Sequence, residues 1–205
     1  MKRTLICSIP MKEDVDLSIY TSDDRSLPVS DRPVRYPVNA FLEKTLKAED
    51  SVKAVLLVKK DRFGHYEKNA QGFIDELNAV NGGIGAKISY VTVESEFEET
   101  KTVHEQLMGQ IVDAVDTGTH ITADMTYGSK DTAIVLFTAL NFAEKFLRCP
   151  VDNIVYGQAN FENGKPVDTK ICDMIPLYCL ASVTELVRCD DPEKARKMLK
   201  SLLSL

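Results

Sequence analysis

The feature that most constrains this chain is an alternation. Segments dense in β-branched and apolar residues recur five times, at Thr4 to Ile9, Val52 to Val58, Lys87 to Val93, His120 to Thr126 and Asn153 to Tyr156. Between them, apolar residues fall at helical spacing: Val38, Phe41, Leu42 and Leu46; then Tyr66, Ala70, Phe73, Ile74 and Leu77; then Val103, Leu107, Ile111 and Ala114. Strand–helix repeats of this kind bury both partners as an α/β fold, a parallel sheet with helices on both faces. With 205 residues and 44% hydrophobic content the chain can build one such core. We therefore expect a single domain over 1–205, with its core at about 1–157 and a β-hairpin plus C-terminal helices over about 158–205.

Two stretches interrupt the alternation. Val15 to Tyr36 is polar, contains Pro28 and Pro33, and predicts an irregular hairpin long enough to serve as a lid. Asn160 to Ile171 carries Asn163-Gly164, the signal of a tight hairpin turn. Beyond it, Pro176 opens a helix through Leu177, Leu180, Val183, Thr184 and Val187, and Asp190-Asp191-Pro192 caps a last one with Ala195, Met198, Leu199 and Leu202. The fourth helix, about Lys130 to Leu147, stands apart because Ile134, Val135, Leu136, Phe137, Ala139, Leu140, Phe142, Ala143, Phe146 and Leu147 leave it almost no polar face. Such a helix must be covered on two sides, by the sheet on one and by the C-terminal helices or a second copy of the chain on the other.

Charge and cysteine usage narrow the partners. A net charge of −6 disfavours a long nucleic acid, whose binding proteins exploit a basic surplus. Cys7, Cys149, Cys172, Cys179 and Cys189 are odd in number and form no C-x-x-C pair, so they read as buried thiols in a reducing cytoplasm. The apolar run after Met1 is too short for a signal peptide and no later run approaches a membrane span.

In a parallel sheet the ligand site lies at the carboxyl edge, where strands deliver the chain to helix N-termini. Two loops matter there: Ser8-Ile9-Pro10-Met11-Lys12 after the first strand, and Asp124-Met125-Thr126-Tyr127-Gly128-Ser129-Lys130 after the fourth. The second places small and hydroxyl residues where a helix begins, so that free N–H groups and the helix dipole can cradle a phosphate, with the Lys130 charge beside them. The alternative is that Thr126 or Ser129 only caps the helix and Lys130 is solvated. Gly82-Gly83-Ile84-Gly85 falls at the amino edge and reads as a turn. No G-x-G-x-x-G or Walker lysine is present. His65, His104 and His120 are isolated from one another and from carboxylates at ligand spacing, so no metal or cofactor is implied. The acidic run Glu94 to Glu99 reads as a solvated loop.

The Asp124 to Lys130 loop, the apolar helix after it and Asn153-Ile154-Val155-Tyr156-Gly157 together resemble the CRISPR-associated Rossmann-fold (CARF) proteins, in the branch with an Asp-x-Thr-x-Gly loop. The resemblance extends to the first strand and its hydroxyl-bearing loop, the hairpin before Tyr36, and Asp173 to Tyr178. It implies a Rossmann-like homodimer that binds cyclic oligoadenylate, the second messenger of type III CRISPR antiviral defence, across its two-fold axis. By the same resemblance Ser8, Ile9, Pro10 and Met11 would line the pocket wall, and Asp124, Thr126, Tyr127, Gly128, Ser129 and Lys130 would hold phosphate and ribose. Tyr36 and Gln158 are added by their position at loop ends. The chain departs from relatives that carry a C-terminal HEPN ribonuclease domain, whose Arg and His are not evident here. Three functions stay open: a metal-independent ring nuclease using Lys130 as charge stabiliser and Ser8 or Thr126 to orient the ribose, a sensor acting through a partner or a missing effector domain, and a Rossmann-like mononucleotide-binding protein.

Overall fold

The computed structural model describes all residues except 25–26, 187–188 and 203–205; the side chains of Glu185 and Leu186 also lie outside the description. Val187, expected in the fifth helix, is among those outside it. In chain order the elements are β1 (Lys2–Ser8), α1 (Pro37–Thr45), β2 (Ser51–Lys59), α2 (His65–Asn81), β3 (Lys87–Ser95), α3 (Lys101–Ala114), β4 (His120–Asp124), α4 (Lys130–Phe146), β5 (Val151–Glu162), β6 (Lys165–Asp173), α5 (Ile175–Leu186) and α6 (Pro192–Leu202).

The strands form one six-stranded sheet in the order β3-β2-β1-β4-β5-β6. The first five pair in parallel and β6 pairs antiparallel with β5. Of the four inner strands, β1, β2 and β4 carry near-continuous apolar runs buried on both faces, as an interior parallel strand requires. α1 packs against α2, and α3 against α4. The chain moves outward from β1 to β3 and then crosses back to β4, so right-handed connections put the two helix pairs on opposite faces. The fold is Rossmann-like, with the reversal of strand order, where ligands collect, between β1 and β4.

β5 runs on past the expected Tyr156 into the hairpin with β6. Asn163 (φ 51°) and Gly164 (φ 78°) both have positive φ, the two-residue turn whose twist matches paired strands. Val155 and Ile171 on this hairpin belong to the same core cluster as Leu5, Leu56 and Phe73. The hairpin therefore belongs with the sheet: Met1–Asp173 form one compact unit and Met174–Leu205 another. In the second unit α5 is apolar, and α6 starts where the Asp191 carboxylate accepts the Glu193 and Lys194 N–H groups, the cap expected from the sequence.

Two expectations are corrected. The Val15–Tyr36 segment is not a free lid, because Tyr20, Leu27 and Val34 are buried in the core. Ser18 pairs with Val34, and Thr21 exchanges backbone hydrogen bonds with Thr169 and Ile171 on β6. Only Cys7 and Cys149 of the five cysteines are buried, and Cys179 is exposed. α4 buries Thr132, Leu136, Ala139, Leu140 and Ala143 but leaves Ile134 69%, Phe142 36% and Phe146 68% exposed, so its outer stripe is uncovered in the single chain.

One close approach fixes how the carboxyl edge is assembled. At Gly157 an added Cβ would lie 2.4 Å from the Pro37 Cγ and 3.1 Å from the Thr126 Cγ2, so β5, the first turn of α1 and the β4–α4 loop meet only around a bare Cα. The pyrrolidine ring cannot swing aside. Gly157→Ala is expected to lower unfolding stability by about 1–3 kcal/mol in urea melts, with an unchanged far-ultraviolet dichroism spectrum, as overpacking does. A melt identical to wild type would show that the junction has slack.

Candidate functional site

β4 ends in Asp124, whose side chain is buried and would be costly there as a bare charge. Its Oδ1 accepts the Thr126 backbone N–H (2.8 Å) and the Thr126 hydroxyl (2.5 Å). The carboxylate also takes the Val38 N–H in the first turn of α1. Burial pushes the Asp124 pKa up to about 6, against the pull of these donors. The Thr126 hydroxyl in turn accepts the Gly157 N–H at 2.8 Å. One carboxylate thus ties the end of β4 to the start of α1 and, through Thr126, to β5.

Beyond Thr126 the chain turns through Gly128, at φ 93°, a conformation natural to glycine. The turn lays Gly128 against Ser8 at the end of β1, where a Cβ would sit 3.2 Å from the Ser8 Cβ. Ser8 is 3% exposed and its Oγ has no hydrogen-bond partner among the described residues. Ser129 precedes α4 in extended conformation without a side-chain cap bond; its carbonyl accepts the Ala133 N–H at 3.3 Å and the Asp131 carboxylate takes the Thr132 N–H, so the open donors of the first turn come down to those of Lys130 and Asp131. Lys130 is exposed and forms no ion pair with the described residues.

A second lysine enters from β2. Lys59 is only 4% exposed, and its ammonium donates to the Ser129 Oγ (3.0 Å) and to the Asp131 Oδ2 (2.9 Å), with Glu99 at 3.6 Å. His104 on α3 places its Nε2 3.1 Å from the same Asp131 oxygen. Burial raises the Asp131 pKa, but the Ser129 hydroxyl and the Lys59 ammonium outweigh it and hold the carboxyl well below the usual carboxylate range. The expectation that the histidines stand apart from carboxylates is corrected here: His104 meets Asp131, and His120 meets Asp152 at 3.0 Å.

The other predicted site residues divide. Ser8, Thr126, Tyr127, Gly128, Ser129 and Lys130 come together at the switch point. Thr126 and Tyr127 also line a cavity of about 180 Å³ with Lys12, Tyr20 and Tyr156. Ile9 is a core residue whose N–H donates to the Leu57 carbonyl, and the Pro10 carbonyl accepts from the Asn69 amide at 2.8 Å. Met11 lines a larger depression between the loops that follow β2 and β3. Tyr36 is 2% exposed, donates its hydroxyl to the Asn69 carbonyl and packs edge-on against Phe73 and Tyr127, so its part is structural. The Tyr127 hydroxyl is taken by the Arg35 carbonyl at 2.8 Å. Gln158 lines a separate depression with Thr21 and Lys170, away from the loop.

Lys59, Asp131 and His104 escaped the sequence reading. The available signal was a charge closing the apolar run of β2: a lysine there has no reason to be buried unless an anion meets it. No described helix is long and apolar enough to cross a membrane. No family model matches the chain, and no curated protein matches it.

Two outcomes follow from this geometry. Because the folded pKa of Asp124 lies above its ordinary value of 3.8, its favourable contribution is complete below about pH 4 and is lost as the pH rises through 6. Asp124→Asn should therefore gain on wild type between pH 4 and 7, by up to about 3 kcal/mol in urea melts; stability curves that run parallel over this window would rule the effect out. Lys59→Met should destabilise the fold by about 3 kcal/mol or more at neutral pH, since it strands the Asp131 carboxylate.

Proposed function

We propose that this chain binds cyclic oligoadenylate as a two-fold homodimer, with a phosphate of the ring held by the Gly128–Lys130 turn of each copy. The observation that carries the reading is the switch-point loop itself. Gly128 folds flat over Ser8, α4 starts two residues later without a side-chain cap bond, and the exposed Lys130 stands at its first position. A helix N-terminus with its dipole and the Lys130 ammonium, which no described residue pairs, suit a compact anion on this edge. A lysine at a helix N-terminus opposes the dipole, so Lys130 is better explained by an anion than by helix stability.

The dimer is supported by the uncovered stripe Ile134, Phe142 and Phe146 on α4, whose two aromatic rings lie 4.9 Å apart. A closed two-fold interface would cover it, and a ring with an even number of AMP units can share that symmetry. Cleavage of the ring would need an orienting hydroxyl. Thr126 has committed its own to Asp124 and Gly157, and that of Ser8 is shut beneath Gly128, which favours a binding role over ring cleavage through these two residues. The strand order supports one further reading, a mononucleotide-binding protein, since in open α/β sheets a switch point such as that between β1 and β4 is where a single chain can hold a nucleotide.

Native mass spectrometry with cyclic tri-, tetra- and hexa-adenylate, with AMP and ATP as comparators, separates these readings. One ring per two chains is the expected result; a strict monomer that prefers the mononucleotides would overturn it. Lys130→Ala should weaken ring binding by about 10- to 150-fold for each charge-assisted contact of about 1.5–3 kcal/mol that is lost, with no fall in the melting temperature of the free protein. Incubation with the rings in excess EDTA, followed by chromatography, should return them intact.

A further inference from the structure

The carboxyl edge carries a wider depression than the one lined by Thr126 and Tyr127. A cavity of about 810 Å³ opens between the loops that follow β2 and β3, and Lys12, Arg62, Phe63, Glu96, Phe97 and Glu98 are among its walls. Phe63 is 66% exposed and Phe97 56% exposed. Phe63 is presented rather than loose: the Asp61 carboxylate accepts the Phe63 and Gly64 N–H groups at 2.6 and 3.0 Å. The Arg62 guanidinium lies 4.8 Å from the centre of the Phe63 ring, and the His65 ring stacks on it at 6.1 Å. Two solvent-facing aromatic rings on one cavity are a surface for stacking a planar group.

The position of the cavity says which planar group. The Lys59 ammonium that donates to the Ser129 Oγ at 3.0 Å lies 6.0 Å from the centre of the Phe97 ring. The aromatic wall and the anion loop are therefore separated by a single lysine head, a span that a nucleotide bridges from phosphate to base. Lys12, Lys60 and Arg62 line the cavity with Asp61, Glu96 and Glu98, so it carries both signs of charge, and the Glu96 and Glu98 carboxylates can accept from the exocyclic amine of a base.

We propose that the cavity between the β2–α2 and β3–α3 loops is a nucleobase pocket. It stacks an amino-bearing base on Phe63 and Phe97 while the phosphate of the same nucleotide rests at Gly128–Lys130. The pocket deepens the function proposed above and rests on it only for the placement of the phosphate.

The test is titration of the full chain with 2-aminopurine riboside 5′-monophosphate, whose emission is quenched on stacking. Quenching is expected with wild type and should need roughly tenfold or more protein in Phe63→Ala and in Phe97→Ala, the loss of one base–aromatic stack. Both side chains are exposed, so the variants should melt as wild type does. AMP should displace the probe at lower concentration than inosine monophosphate, which lacks the amine. No quenching at millimolar probe, or equal quenching in both variants, would overturn the pocket; equal displacement would remove the part assigned to Glu96 and Glu98. The two proposals fail separately. Cyclic oligoadenylate bound equally by wild type and both phenylalanine variants would sink the pocket alone. Phenylalanine-dependent quenching in a protein that binds no ring would sink the cyclic ligand alone.

Discussion

The carboxyl edge depends on one buried carboxylate. Asp124 closes β4 in the interior, where an ion without partners is not tolerated, and its demand for donors organises three elements. It draws in the Thr126 N–H and hydroxyl, which bends the chain away from the strand, and the Val38 N–H, which joins the bend to the first turn of α1. α1 has no side-chain cap of its own. The Asp124 carboxylate and Glu76, which accepts the Arg35 and Tyr36 N–H groups, bring negative charge to its N-terminus from elsewhere in the chain. Without a donor-hungry group at this place, the β4–α4 loop would have no reason to turn over Ser8.

Electrostatics then divide the edge into parts. Asp131 in the first turn of α4 suits the helix dipole, and its pairing with Lys59 neutralises a buried ammonium that would otherwise be untenable. Lys130, one residue earlier, faces outward with its charge uncompensated by the described residues. The buried pair sets the shape of the loop, and the exposed lysine supplies charge to whatever arrives. The Lys59–Asp131 pair is locally balanced, so in a chain of net charge −6 the charge this edge could offer the proposed anion is that of Lys130.

The legible parts of the sequence were those with local causes. Strand–helix alternation announced the α/β fold because burial on both faces forces continuous apolar runs, and Asn163-Gly164 announced the hairpin because few residue pairs accept two positive φ values. The Asp124–Lys130 loop was legible because glycine, hydroxyls and lysine at a helix start have a narrow set of uses. Long-range pairings were not. Nothing in the spacing of Lys59, His104 and Asp131 shows that β2, α3 and α4 bring them within 3.1 Å of a shared oxygen, since that depends on strand order. Tyr36 misled for the same reason: a tyrosine at a loop end reads as accessible until Phe73 and Asn69 enclose it. Val15–Tyr36 misled because its polar composition hides Tyr20, Leu27 and Val34, three anchors that together bury the segment.

The same commitments that shape the loop bear on whether it could do chemistry. A donor placed at a developing charge is worth about 2.7–4 kcal/mol to a reaction. For Thr126 to serve in that way its hydroxyl must leave Asp124 and Gly157, giving up a charge-assisted hydrogen bond and stranding a buried N–H, at about 1–3 kcal/mol for each group left unsatisfied. Recruitment would therefore cancel most of its own benefit. Ser8 gives up no bond, but Gly128 stands 3.2 Å from its Cβ as a glycine-borne Cβ would measure it, so the loop that forms the anion site would have to lift off. The backbone N–H groups of α4 and Lys130 carry neither cost. That difference in cost is why the role proposed for the loop is to hold a phosphate and not to break its ester: its hydroxyls are committed to the structure, and Lys130 is not.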